Sequence, residues 1–194
     1  MTSFLDALVP LVDAFETYNV DYYIGGSVAT IAHGVPRTTL DVDVIAEIYP
    51  HQVHVLVKTL QHDFYIQATD IHDAIIQRSS FNIIHFASMI KIDIFLAPNR
   101  AFDRSKAQRA HDIQLTTNNS RLFHITSSED IVLQKLEWYM LGAQISERQW
   151  HDIQGVLKIQ GTSLNFPYMR HWAAQLNISE LLEQALLDAG LRDI

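Results

Sequence analysis

The sequence of 194 residues contains no cysteine. This absence excludes a disulfide framework, a cysteine nucleophile and a thiolate metal site. Internal repeats and low-complexity runs are also absent, and the length suits one domain or one domain with a helical extension. With 48% hydrophobic and 19% charged residues, the composition is typical of a globular chain with a real core.

Positive charge is scarce. Lys and Arg total 14 against 22 Asp and Glu, and the formal net charge is −8. Proteins that grip long nucleic acid usually have a basic face and a high pI, so broad DNA binding is disfavoured. A local basic patch could still hold an NTP or one end of an RNA. No signal peptide or membrane span is visible, so we expect a cytoplasmic protein without a membrane partner.

Two further site classes lack their patterns. Gly-x-Ser-x-Gly is absent, which disfavours a serine hydrolase. Among the ten histidines, His51 and His54 are spaced to share one helix face, but no third histidine has ligand-like spacing to them. Scattered histidines are more often surface or satisfied core residues than ligands, so we do not predict zinc.

Aspartates that alternate with apolar residues are the informative feature. Asp41-Val42-Asp43-Val44 and, later, Lys91-Ile92-Asp93-Ile94-Phe95 have the period-2 pattern of half-buried strands. The first pattern places Asp41 and Asp43 on the same face of one strand. Like charges side by side are unfavourable. A divalent cation removes that penalty, and carboxylates suit Mg²⁺ beside a substrate phosphate.

A glycine turn precedes these strands. Gly25 and Gly26 allow a sharp turn out of the strand Tyr22–Ile24 and a close approach to a phosphate. We expect Ser27 to cap a helix Val28–His33, whose first N–H groups favour an anion. Arg37 lies just ahead of the aspartate strand and is expected to reach phosphate in the same site.

Gly26 and Ser27, then Asp41 and Asp43, then Asp93 resemble in their order the nucleotidyltransferase superfamily, which includes DNA polymerase β. The resemblance covers about the first half of the chain. It implies transfer of a nucleoside monophosphate from an NTP to a hydroxyl of an RNA or protein acceptor, with Mg²⁺ or Mn²⁺. By this resemblance Asp41 and Asp43 bind metal, and Asp93 binds the acceptor-side metal or acts as the base.

Lys135, Arg148 and Asp152 resemble a later motif of the AbiEii type of toxin nucleotidyltransferases. That resemblance implies that Lys135 contacts the triphosphate and that Asp152 holds or orients it. It also implies a cognate toxin or antitoxin as a partner. The alternative is an ordinary helix surface, on which Lys and Asp are solvated or paired, and Arg148 with Asp152 forms an i,i+4 pair.

Structural alternatives also exist for the first motifs. Gly25-Gly26 suits a plain tight turn, Asp41-x-Asp43 a solvated strand edge, and Asp93 or Arg37 an ordinary surface position. The joint occurrence favours a nucleotidyltransferase site. A nucleotidyltransferase fold that keeps its carboxylates but works only by binding a partner or nucleotide remains the alternative function.

The predicted fold is α/β (α+β), a mixed-sheet nucleotidyltransferase domain over residues 1–126 with a helical C-terminal subdomain over 127–194. The predicted helices are Leu5–Tyr18, Val28–His33, His51–His62, Ile71–Gln77, Ala101–Ala110 and four more after Ser127. The predicted strands are Tyr22–Ile24, Thr39–Glu47, Asn82–Phe86, Ile90–Leu96 and Arg121–Ile125. Mutual repulsion should raise the pKa of at least one clustered carboxylate in the metal-free protein.

Overall fold

The computed structural model describes residues 4–36, 38–97, 99–116 and 119–191. Within these ranges the strands form one seven-stranded mixed sheet in the order β3-β4-β5-β2-β1-β7-β6. Its strands are β1 (Asp21–Ile24), β2 (Asp41–Glu47), β3 (Phe64–Tyr65), β4 (Ser80–His85), β5 (Lys91–Leu96), β6 (His111–Thr116) and β7 (Asn119–Ile125). Strand β2 runs parallel to β5 and antiparallel to β1. The predicted α/β class with a mixed sheet is confirmed.

Alternation of side chains explains why β2 and β5 lie at the centre. Val42 and Val44 of β2, and Ile92 of β5, are fully buried in the main core. Val42 lies between Asp41 and Asp43, and Ile92 between Lys91 and Asp93, and these polar side chains point to the opposite face. The apolar set therefore fixes the register, since a slip by one residue would move every carboxylate into the core.

Helices cover both faces of the sheet and make up the chain's C-terminal part. Their bounds are α1 (Phe4–Thr17), α2 (Gly26–Ala32), α3 (Pro50–Leu60), α4 (Ala68–Gln77), α5 (Ala101–Arg109), α6 (Ser128–Leu141), α7 (Glu147–Gln160), α8 (Phe166–Gln175) and α9 (Ser179–Asp188). Helix α6 begins where predicted, because the Ser127 hydroxyl accepts the Asp130 backbone N–H at 3.2 Å. It ends at Gly142, the predicted stop.

The last helices pack on the same core as the sheet. Beyond Ile125 the described residues contain helices and no strand, as the pattern predicted. Leu133 of α6 and Leu182 of α9 belong to the same buried cluster as Val42. The division of the chain at residue 126 stays a prediction. No described helix has the length and apolar character that crossing a membrane requires.

Two strands of the structure, β3 and β6, were not predicted from the sequence. Strand β3 has only two residues, too few for any period to show. Strand β6 is an edge strand paired only with β7, and several of its side chains are exposed polar groups. An edge strand need bury little, so its sequence carries a weak apolar alternation.

Candidate functional site

The predicted aspartates lie together on one face of the sheet. In the parallel pairing of β2 and β5, Asp43 is opposite Asp93 and Asp41 is opposite Lys91. Because side chains alternate along a strand, these four residues share the face opposite the core. The two strands thus bring together three carboxylates that are far apart in sequence.

Lys91 is a member of this group that the sequence prediction did not include. Its Nζ atom lies 2.7 Å from Asp93 Oδ2 and 3.9 Å from Asp41 Oδ1. The Asp93 hydrogen bond is the main cause that raises the pKa of Lys91 above its usual value. Lys91 stands two residues before Asp93, so the same period-2 pattern already placed it on this face.

The glycine turn contacts Asp43 directly. The Gly25 N–H donates to the Asp43 backbone carbonyl at 2.9 Å, and the Ser27 N–H donates to the Asp43 side chain. Gly26 has φ +53°, and a Cβ there would lie 1.7 Å from Asp43 Oδ2. Only glycine fits this turn against the carboxylate.

The predicted cap by Ser27 is wrong. Helix α2 begins at Gly26 with Gly25 as its N-cap, and no side chain caps it. The turn places the Ser27 N–H against the Asp43 carboxylate, so one of the first backbone N–H groups of the helix donates to that acid. The serine contributes to the site through its backbone rather than through its hydroxyl.

The pKa of Asp43, one of the three aspartates of the cluster, is raised. Burial is the main cause that raises its pKa above the usual range, and the charges of Asp93 and Asp41 raise it further. The charge of Lys135 and the Ser27 N–H act in the opposite direction. The pKa of one clustered carboxylate is thus raised in the expected direction, but burial rather than the predicted mutual repulsion is the main cause.

The donor set fits a divalent cation. Three carboxylates on one face are hard oxygen ligands of the kind that Mg²⁺ and Mn²⁺ prefer. The Lys91 ammonium already stands as a cation between Asp93 and Asp41. In the part of the chain that the structure describes, no three His, Asp or Glu side chains are arranged to hold a metal ion. The metal site stays a prediction.

Lys135 and Asp152 meet, but in the interior. The Lys135 Nζ donates to Asp152 Oδ2 at 2.8 Å, with both side chains 6% exposed. This joins α6 to α7. Lys135 is close enough to lower the pKa of Asp43, yet its ammonium is committed to Asp152. Contact of this pair with a triphosphate stays a prediction, and Arg37, also predicted at the phosphates, lies outside the described residues.

A cavity of about 180 Å³ opens beside Asp43, between the sheet, α5 and α6. Two of its lining residues, Tyr23 and Gln134, are only 5% and 8% exposed. The Tyr23 hydroxyl and the Gln134 Oε1 atom are buried and have no hydrogen-bond partner among the described residues. Both residues lay outside the predicted site, because the sequence does not show how α6 docks on β1.

Charged groups in this cavity are paired with one another. The Arg100 Nε donates to Asp103 Oδ2 at 2.7 Å, and its Nη1 donates to Glu137 Oε1 at 2.5 Å. The Lys106 Nζ lies 3.0 Å from Asp103 Oδ1. These contacts lower the pKa of Asp103 although its burial alone would raise it. The positive and negative charges of this network therefore neutralise one another.

No family model and no curated protein matches the sequence. Solved structures do match the fold. The crystal structure of ANT(2'')-Ia in complex with adenylyl-2''-tobramycin has TM-score 0.57 and 13% identity, over 91% of this chain and 98% of that chain. The solution structure of this antibiotic-resistance factor gives 0.55 and 12%, over 95% and 94%.

A third structure is an antigenic nucleotidyltransferase-like protein from Paracoccidioides brasiliensis. It has TM-score 0.52 and 19% identity over 92% of this chain and 90% of that chain. At such identities the similarity concerns the fold, and it extends over almost the whole length of all three. The predicted resemblance to the nucleotidyltransferase superfamily is confirmed for the fold. The resemblance to the AbiEii type stays a prediction.

Proposed function

We propose that this chain, whose fold is that of the nucleotidyltransferases, transfers a nucleoside monophosphate from an NTP to an acceptor hydroxyl. The observation that supports the proposal is the parallel register of β2 and β5, which places Asp43 opposite Asp93 with Asp41 on the same face. The Gly26 turn lies against Asp43. Carboxylates and a close backbone turn are the parts that a phosphate-transfer site needs.

In this proposal Asp41, Asp43 and Asp93 hold the divalent metal. When bound, Mg²⁺ or Mn²⁺ supplies Lewis-acid stabilisation of the charge on the phosphate oxygens. Asp93 orients the acceptor hydroxyl and accepts its proton as the oxygen attacks the α-phosphorus in line. The bond from the α-phosphorus to the bridging oxygen breaks, and pyrophosphate leaves. Lys91 moves off Asp93 to free that carboxylate.

For the acceptor, we propose an RNA or a protein, with a toxin–antitoxin setting in which a cognate partner binds the chain. The acidic balance of 14 basic and 22 acidic residues argues against a long nucleic-acid track and fits the end of an RNA or a protein hydroxyl. The adenylyl-tobramycin complex of ANT(2'')-Ia makes a small molecule the third acceptor class to test.

A catalytically silent binding protein is the second candidate. The observation that favours it is the Lys91 ammonium, which stands 2.7 Å from Asp93 where a catalytic site needs that carboxylate for metal or proton. A chain that has lost turnover gains by neutralising its acids with its own lysine. Both candidates bind nucleotide, but only the enzyme transfers it.

The test is label transfer from each α-³²P NTP with Mg²⁺ or Mn²⁺. The acceptors are total RNA, total protein and tobramycin, each in a separate reaction. Asp43→Asn removes a site carboxylate, and Asp73→Asn, on the exposed face of α4, is the matched control. Transfer by wild type and Asp73→Asn but not by Asp43→Asn supports the enzyme. Nucleotide-induced stabilisation without transfer supports the binding protein. If the protein shows neither transfer nor stabilisation, both candidate functions are overturned.

A further inference from the structure

The cavity beside Asp43 continues the catalytic face of the sheet. Ile45 stands two residues after Asp43, Phe95 two residues after Asp93, and the two are in register. Tyr23 of β1 pairs with Ile45 on the other side. A ligand with a phosphate at the carboxylates therefore extends over an apolar floor, with Trp138 of α6 as a wall. Such a surface suits a flat ring.

Two hydrogen-bonding groups in this cavity are unused. In the part of the chain that the structure describes, the Tyr23 hydroxyl and the Gln134 Oε1 have no hydrogen-bond partner. A buried polar group without a partner destabilises a fold. Burial raises the pKa of Tyr23 above its usual value, and the charges of Asp103 and Asp130 add to the rise, so its hydroxyl stays a neutral donor. Gln134 Oε1 is an acceptor only.

The charge and the volume of the cavity limit the class of ligand that it can bind. Apart from Asp43, the charged residues of the lining are Arg100, Asp103, Lys106 and Glu137, and these neutralise one another. They therefore offer no unpaired charge to an amine-rich or anionic ring. Its volume of about 180 Å³ is below the roughly 300–1,000 Å³ of sites that enclose a whole drug-sized ligand. The cavity therefore has room for one uncharged ring system of a larger substrate.

We propose that this cavity binds the base of the donor nucleotide and prefers adenine or cytosine. Both bases carry an exocyclic amino group next to a ring-nitrogen acceptor. The amino group donates to Gln134 Oε1, and the Tyr23 hydroxyl donates to the ring nitrogen. At the ring carbons that carry these amino groups, C6 of adenine and C4 of cytosine, guanine and uracil have a carbonyl instead. This inference rests on the proposed nucleotide donor, whose phosphates lie at Asp43.

The test is calorimetric binding of ATP, CTP, GTP and UTP with Mg²⁺. ATP or CTP should bind most tightly, and the tighter of the two identifies the base. Gln134→Leu and Tyr23→Phe should each weaken that nucleotide about five- to tenfold, the worth of one hydrogen bond at about 1 kcal/mol or slightly more. The analogue of the preferred nucleotide without its amino group should bind Gln134→Leu and wild type equally.

A matched control separates recognition from general damage. Gln154→Leu also removes a buried glutamine whose Oε1 lacks a partner. That residue belongs to α7 and donates to the Ala185 carbonyl, away from the cavity lining, so its loss should leave nucleotide binding unchanged. Tyr23→Phe should melt no lower than wild type without nucleotide, because the lost hydroxyl has no partner.

Equal binding of the four nucleotides, or variants at Tyr23 and Gln134 that bind like wild type, would overturn this base assignment and leave the proposed transfer intact. Failure of every nucleotide to bind with Mg²⁺ would overturn both.

Discussion

Replacing Lys91 with methionine tests whether its ammonium takes the place of a cation among the carboxylates. Lys91 lies 2.7 Å from Asp93 and 3.9 Å from Asp41, and the three side chains are 42%, 23% and 59% exposed. Solvent screens such pairs, so their joint contribution is about 1 kcal/mol. Without the lysine, the metal-free variant should melt about 2–4 °C lower, the shift expected for that energy in a chain of this length.

The free energy that the Lys91 ion pairs contribute to stability should oppose metal binding by the same amount. A divalent cation that binds Asp93 must first displace the Lys91 ammonium in wild type, and it meets no such competitor in Lys91→Met. About 1 kcal/mol corresponds to roughly fivefold tighter binding. The assay is Mn²⁺ binding by electron paramagnetic resonance, together with melting curves in chelator and across a Mg²⁺ titration.

Lys58 provides the control, because it is an exposed lysine of α3 and does not belong to the site strands. Lys58→Met removes the same charge and should change neither metal affinity nor the chelator melting temperature by a comparable amount. Unchanged or weaker metal binding by Lys91→Met would refute the idea that this lysine competes with the cation.

Three further predictions follow from the same geometry. The raised pKa of Asp43 means that protons compete with metal in mildly acidic solution, so Mg²⁺ affinity should fall as pH drops; a flat affinity from neutral to mildly acidic pH would contradict this. Gly26→Ala should abolish transfer and cost more stability than Gly161→Ala, since both glycines have positive φ but only the first faces a clash, at 1.7 Å from Asp43 Oδ2; equal losses would exclude the clash. Lys135→Met should lower the free energy of unfolding by about 3–5 kcal/mol by leaving the Asp152 charge buried, and Lys135→Met with Asp152→Leu should recover most of it; denaturant titration measures both, and a fully stable single variant would argue against the buried pair.

The centre of the sheet could be predicted because its signal is local. Val42 and Val44 alternate with Asp41 and Asp43 within four residues, and burial of one face dictates the exposure of the other. The same reasoning could have predicted Lys91 on this face, since it precedes Asp93 by two residues. It was missed because a lysine is not a metal ligand, and its role arises only from the acids around it.

Other parts of the site depend on contacts between distant segments. The opposition of Asp43 and Asp93 requires the parallel pairing of β2 with β5, and strand pairing is not encoded in either segment alone. The unused hydroxyl of Tyr23 and carbonyl of Gln134 come together only in the fold, where β1 and α6 line the same cavity. Ser27 shows the reverse case: its type suggested a cap, yet the turn at Gly26 directs its backbone N–H to a carboxylate.

Charge compensation around the site has a consequence for nucleotide binding. A triphosphate needs positive charge, and the cations that the structure describes around Asp43 are already bound to carboxylates. Their pairs are Lys91 with Asp93, Arg100 with Asp103 and Glu137, Lys106 with Asp103, and Lys135 with Asp152. Taking a lysine from a buried carboxylate leaves that charge uncompensated, which costs more than a phosphate contact returns. Among the described residues, the positive charge for a triphosphate would therefore come mainly with a divalent metal, and we propose that the carboxylates of β2 and β5 recruit it.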